Sequence, residues 1–237
     1  MSAYAHVLKQ SRGFQRILTN QIAIMKKIKP FENVDDALTK LDNGGRFYNL
    51  LTKADDGVIT TAELGKVGGI FNDKQQMILF LELSLSRLNE EQRKEVLLKL
   101  DIDLKLLYYN HQPAILTATE AASQGVLAKN TIITGVPKLT ASKSDFKGFI
   151  MMPIMVGSVT TFTMIPIMDI YDVYEISDGA TADSVLIAHS KSSNRLPEKR
   201  IQVAGILKEL KSDKEEAVAS KMFLESVYFL ELDGNDD

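Results

Sequence analysis

The stretch "TKADDGVITTAEL", residues 52 to 64, places Asp56, Gly57, Ile59 and Glu63 at the fifth, sixth, eighth and twelfth offsets of a calcium-binding loop. A hard cation needs many oxygen ligands, and that spacing supplies carboxylates, a glycine for the sharp turn and a closing glutamate. The first and third ligand positions hold Thr52 and Ala54, which removes two carboxylates. Asp55, Asp56 and Glu63 are the residues left as candidate metal ligands, and metal binding is the less favoured reading. The alternative is structural: Asp56-Gly57 makes a turn, and Thr60 with Glu63 forms a capping box opening a helix.

A second chemistry lies in "FIMMPIMVGSVTTFTMIPIM", residues 149 to 168, where Phe149, Met151, Pro153, Ile154 and Met155 recur as Phe162, Met164, Pro166, Ile167 and Met168. Thioethers are soft ligands suited to Cu(I), but no Cys or neighbouring His strengthens such a site, and methionine more often fills apolar gaps. From Gly148 to Met168 there is no charged residue. That length suffices for a membrane-spanning helix. Pro153 and Pro166 would each remove a helical hydrogen bond, and the Thr, Ser and Val between them favour strands. A hairpin therefore fits better. With Gly157 and Ser158 as the central residues of a type II′ turn, Val156 faces Val159, Met151 faces Met164, Phe149 faces Pro166 and Pro153 faces Phe162. Strand alternation then gathers Phe149, Met151, Met155, Phe162, Met164 and Met168 on one face, with the prolines, and leaves the other face apolar as well. These residues are the predicted interface, to be covered by the protein's helices, a second subunit or another protein.

Catalytic signatures are absent: there is no glycine-rich phosphate loop, zinc-binding histidine motif or nucleophile elbow. His189 beside Ser190 and Ser192 lacks a third partner and reads as loop surface. No enzyme activity and no cofactor are expected. The absence of cysteine excludes disulfides and thiolate sites and suits a reducing compartment. With an N-terminus interrupted by Lys9, Arg12 and Arg16 before any apolar run, the expectation is cytoplasmic.

The elements that position these residues divide the chain. Ile17, Ile22, Ile24, Met25 and Ile28 predict an amphipathic first helix ended by Pro30, and Asn33 opens a short helix closed by "DNGG". Asp73 with Gln76, and Asn89 with Gln92, have capping-box spacing and start "KQQMILFLELSLSRL" and "EEQRKEVLLKLDIDLKLLYY", each read as one helix. Beyond "NHQP" come β-branched runs between Gly, Ser, Asp and Pro, with "TATEAASQGVLAK" and "SDKEEAVASKM" as ambiguous helices. The fold class is therefore α+β: a helical domain over 1–109 and a small antiparallel β-barrel domain over 110–237.

Two resemblances add to this reading. Residues 46–100, with "KADDGVITTAEL" followed by two capped helices, resemble the TerB-type helical domains associated with tellurite resistance and degenerate EF-hands. That resemblance implies a metal role for Asp55, Asp56 and Glu63. The last strands, "LPEKRIQVAGILKEL" and "FLESVYFLEL", resemble the closing strands of OB-fold barrels, which implies single-stranded nucleic-acid binding as an alternative. Lys191, Arg195, Lys199 and Arg200 would form its basic loop. From residue 110 onward 12 Lys plus Arg face 17 Asp plus Glu, which opposes general phosphate binding. Asp169, Asp172, Glu175 and Asp178 read as solubility charges at a strand edge. The favoured function is a non-enzymatic interaction or regulatory protein acting through the apolar hairpin, with a protein partner or a second copy. Membrane association through 148–168 is a further alternative.

Overall fold

The computed structural model describes residues 25–51, 53–156, 159–179, 184–190, 195–209 and 222–232, with side chains described for all of these except 141–170 and 190. Among them are six helices and seven strands. Helix α1 (Val34–Leu41) begins at Asn33, whose side chain accepts from the Asp36 N–H at 2.8 Å. Helix α2 (Thr61–Gly68) carries the predicted capping box of Thr60 and Glu63. Helix α3 (Lys74–Ser84) is capped by Asp73, and every residue from Ile78 to Ser84 is buried. Gln76 differs slightly from its expected role, because its side chain accepts from Asn72 rather than from the cap residue.

The run after Asn89 is two helices instead of one. Helix α4 (Glu90–Leu98) has the full capping box of Asn89 and Gln92, and helix α5 (Ile102–His111) restarts at Asp101. Two things break the helix. Leu100 bridges to Ile59, with hydrogen bonds of 2.8 Å from Ile59 N to the Lys99 carbonyl and from Asp101 N to the Ile59 carbonyl. Asp101 also accepts from the Leu104 N–H at 2.7 Å and so re-nucleates the helix.

Strand β1 (Lys26–Lys27) lies where the first helix was predicted to end, pairing in parallel with the last strand. Residues 1–24 of that predicted helix lie outside the described residues. For 25–28 the expectation is overturned by a partner some two hundred residues away: Met25 is buried, and Ile28 N donates to the Phe229 carbonyl at 2.7 Å.

The second half comprises β2 (Ala114–Thr117), α6 (Ala118–Gln124), β3 (Asn130–Val156), β4 (Val159–Ser177), β5 (Val185–Ser190), β6 (Ile201–Glu209) and β7 (Met222–Glu231). Helix α6 occupies the first ambiguous segment; "SDKEEAVASKM" falls almost wholly outside the described residues. Five strands close a ring: β3 pairs with β4, β4 with β5, β5 with β7, β7 with β6, and β6 with β3. The protein is thus an α+β chain containing a closed β-barrel. The barrel is not wholly antiparallel as predicted, since β5 and β7 run parallel. An odd number of strands cannot alternate direction all the way around a closed ring, so one pairing must be parallel. At the β6–β7 bulge, a Cβ on Gly205 would collide with the Glu225 carbonyl, which explains the glycine in "VAG".

Alternation along the barrel strands sorts two cores. Ile133, Val203 and Phe229 belong to one cluster with Tyr174, Ile187 and Leu224, to which α6 adds Ala118 and Ala121. Their neighbours Ile132, Ala204, Tyr228 and Leu230 belong to the other, together with the buried residues of α1, α3, α4 and α5. One face of the barrel is therefore the floor on which the helices pack.

Candidate functional site

The geometry that sets this molecule apart is in β3 and β4. Near the barrel, β3 pairs with β6 over Asn130–Gly135 and β4 pairs with β5 over Tyr171–Ile176. Past Lys143↔Tyr171 the two strands continue to pair with each other, from Ser144↔Ile170 to Val156↔Val159, and among the described residues no further strand flanks them. The result is a two-stranded arm roughly 40 Å long at about 3.3 Å per residue.

Its register is the predicted one: Met151↔Met164, Ile150↔Ile165, Phe149↔Pro166 and Pro153↔Phe162, closing at Val156↔Val159. A membrane-spanning helix over 148–168 is overturned, because these residues form two strands joined by only two residues. Gly157 and Ser158, predicted to make the turn, lie outside the described residues. The predicted interface residues Phe149, Met151, Met155, Phe162, Met164 and Met168 occupy their register positions on the arm; their side-chain surroundings lie outside the described residues. No described helix is long and apolar enough to cross a membrane.

The root of the arm is a polar knot that sequence reasoning placed at the surface. Asp172 and His189 are register partners on β4 and β5, and only 3% and 4% of their surfaces are exposed. The His189 ring stacks on Tyr174 with centroids 5.3 Å apart, and the Tyr174 hydroxyl accepts from the Leu196 N–H at 3.1 Å. His189 is thus not loop surface, and Asp172 is not an edge charge. Both were misjudged because burial here follows from which strands flank them. Burial pushes the Tyr174 phenol above its ordinary range. Asp178 accepts from the Thr119 N–H of α6, while Glu175 is exposed and bonded to Ser184.

The calcium-like loop is organised the opposite way from a cation site. The carboxylate of Asp42 accepts from the N–H groups of Asp56 at 3.1 Å and Gly57 at 2.7 Å, so the loop presents donors to an internal anion. Glu63 is 2% exposed, and its carboxylate accepts from Gly44 N, Thr60 N and the Thr60 hydroxyl at 2.6 to 2.9 Å. Asp55 has a φ of 57°, with its N–H donated to the Asp42 carbonyl, and the Asp56 side chain accepts from Val58 N. Among the described residues no group of three or more His, Cys, Asp or Glu side chains could hold a metal ion.

The basic loop is only partly described, since Lys191 lies outside the described residues. Lys199 binds Glu231 at 2.6 Å, and Lys27 binds the same carboxylate at 2.7 Å; the two ammonium groups hold Glu231 below the usual carboxylate range. Arg195 and Arg200 are exposed, and Leu196 between them is buried.

Sequence reasoning missed an apolar stripe on the helices. Leu98, at the end of α4, and Ile102, Leu106 and Tyr109 of α5 are between 58% and 77% exposed. Within α5 the signal was present in the spacing of Ile102, Leu106 and Tyr109, four and three residues apart, while Leu104 and Tyr108 of the same helix turn inward. Glu82 and Tyr108 are buried: Glu82 pairs with the partly buried Arg93 and accepts from the Tyr108 hydroxyl at 3.0 Å. Burial, then the Glu82 carboxylate, pushes the Tyr108 phenol up to about 12.

Compared with models of protein families and with curated proteins, the chain matches none.

Proposed function

We propose that this is a non-enzymatic interaction protein whose β3–β4 arm makes its contact with another protein surface. The observation carrying the reading is the departure of two paired strands from the barrel with no charged residue from Gly148 to Met168. A soluble chain keeps large contiguous apolar patches only where something covers them. At roughly 25 cal/mol per Å², covering on the order of 400 Å² of such surface is worth about 10 kcal/mol before ordering is counted against it. The knot of Asp172, His189 and Tyr174 supports the same reading by anchoring the strand that leads into the arm.

The order of the ring, with its first strand paired to both the second and the fourth, supports an OB-like type for the barrel, a five-stranded Greek-key closure. The basic loop offers little to a phosphate backbone, because Lys199 already shares Glu231 with Lys27.

Photo-crosslinking from position 162 tests the proposal. A benzophenone-bearing phenylalanine in place of Phe162, irradiated in intact cells, is expected to join the arm to a protein surface. The absence of any crosslink at 162 and at a second position, 151, would overturn the reading.

A further inference from the structure

Resting on the reading of the arm as a contact element, we infer that its occupant is a second copy of this chain, stacked face to face on the same arm. Three observations lead there.

The first concerns the edges. Val156 and Val159 are partners separated by two residues, so they form a hydrogen-bonded pair, and pairs alternate from there. Ile154↔Thr161, Met152↔Thr163 and Ile150↔Ile165 are hydrogen-bonded pairs; Pro153↔Phe162 and Phe149↔Pro166 are not. At a non-hydrogen-bonded position the backbone nitrogen points away from the partner strand, toward the outer edge. Both prolines therefore sit where the missing N–H costs the ribbon nothing and interrupts the outer edge of each strand. Proline placed this way blocks the addition of another strand. It also argues against lipid as the occupant, because the remaining N–H and C=O groups of two open edges have no partner in hydrocarbon, whereas water satisfies them. Association must then use the faces.

The second concerns symmetry. The repeat is offset by 13 residues, from Phe149 to Phe162, and the register pairs Met151 with Met164. A half-turn about an axis through that pair, normal to the ribbon, carries Phe149 onto Phe162, Met151 onto Met164 and Pro153 onto Pro166. The face holding these six positions is alike in both directions. The opposite face breaks the pattern, since Ile150 maps onto Thr163, and it also carries Thr161. A face with its own two-fold pattern suits an occupant with the same pattern, and a two-fold contact between copies uses one patch on both. The threonine-bearing face takes no part in the inferred contact.

The third concerns size. Nine paired residues, Gly148 to Val156, at about 3.3 Å each and a ribbon about 10 Å wide give a footprint of roughly 300 Å² per copy. The pair totals roughly 600 Å², below the ~1,200 Å² of a standard stable interface. The dimer is accordingly reversible and concentration-dependent.

Sedimentation equilibrium on the purified full chain tests this. Self-association to dimer is expected within roughly 1 to 200 μM, a range typical of a small interface. Met151→Lys is expected to raise the dimer Kd at least about tenfold, by burying a charge at the axis, while Thr163→Lys on the other face shifts it by less than about threefold. Met151→Glu should weaken self-association like Met151→Lys, and mixing the two variants should restore dimer, because the opposite charges then meet. A wild-type chain that stays monomeric throughout, equal effects of Met151→Lys and Thr163→Lys, or no restoration on mixing would each overturn the inference. A monomer that still crosslinks from Phe162 to a different protein in cells would remove the second copy and leave the proposed function standing.

Discussion

The same two strands behave differently at their two ends. At the barrel, β3 and β4 are flanked by β6 and β5, and burial follows the pairing: Ile133, Tyr174 and Ile176 go to the interior, and even Asp172 and His189 are enclosed. Farther out, the strands have only each other among the described residues, with no charge between Gly148 and Met168 and a proline on each outer edge. Neighbouring strands decide what a strand residue does. In the barrel an acid and its register partner, a histidine, are both buried. On the arm, the sequence puts apolar residues at consecutive positions of both strands from Gly148 to Met168.

The sharpest break between the two ends is in stability. Leu224→Ala, in the barrel interior, is expected to cost about 2–5 kcal/mol in urea unfolding, whereas Ile154→Ala on the arm costs less than about 0.5. Comparable losses would mean that the arm belongs to the body.

High pH separates the ends next. The buried phenols Tyr108, Tyr174 and Tyr228 all lie in the body and are all shifted upward by burial. Tyr108 holds its proton more tightly folded than unfolded. Its contribution is therefore complete below pH ~10 and is lost as pH rises toward about 12, by about 2–3 kcal/mol. No residue of the arm between Gly148 and Met168 titrates at any pH in this range, so a variant with a shortened arm should give the same profile; a different profile would couple the arm to the body.

Smaller again is the three-residue ion cluster beside the barrel: Glu231→Ala, which removes the shared partner of Lys199 and Lys27, should cost less than about 1 kcal/mol. A larger loss would show that the closing strand depends on this carboxylate. The smallest effect is expected from the arm itself, since replacing 149–166 by a short Gly-Ser turn should move Tm by no more than about 2 °C.

What was legible in the residues was local. Asn33, Thr60 with Glu63, and Asn89 with Gln92 announce helix starts because cap and partner lie within one turn. The arm's register was legible for the same reason: a repeat, two prolines and a two-residue connection leave little choice. Features set by distant partners were not. Lys26 and Lys27 are strand because β7 lies beside them, and Leu100 leaves its helix because Ile59 bridges to it. His189 and Asp172 are buried by flanking strands, and the parallel β5–β7 pairing follows from counting strands around a closed ring. The exposed stripe of Ile102, Leu106 and Tyr109 had the right spacing, but only the inward turn of Leu104 and Tyr108 shows which side of the helix it occupies.

Amide-resolved hydrogen exchange along residues 148–167 tests the central claim most directly. The account predicts an alternation: slow exchange at Ile150, Met152, Ile154, Thr161, Thr163 and Ile165, whose N–H groups bond across the ribbon, and fast exchange at Met151, Met155, Thr160, Phe162 and Met164, whose N–H groups face the open edges. Uniform protection would place another strand on those edges, and uniform fast exchange would mean that the ribbon does not form; either result contradicts the account.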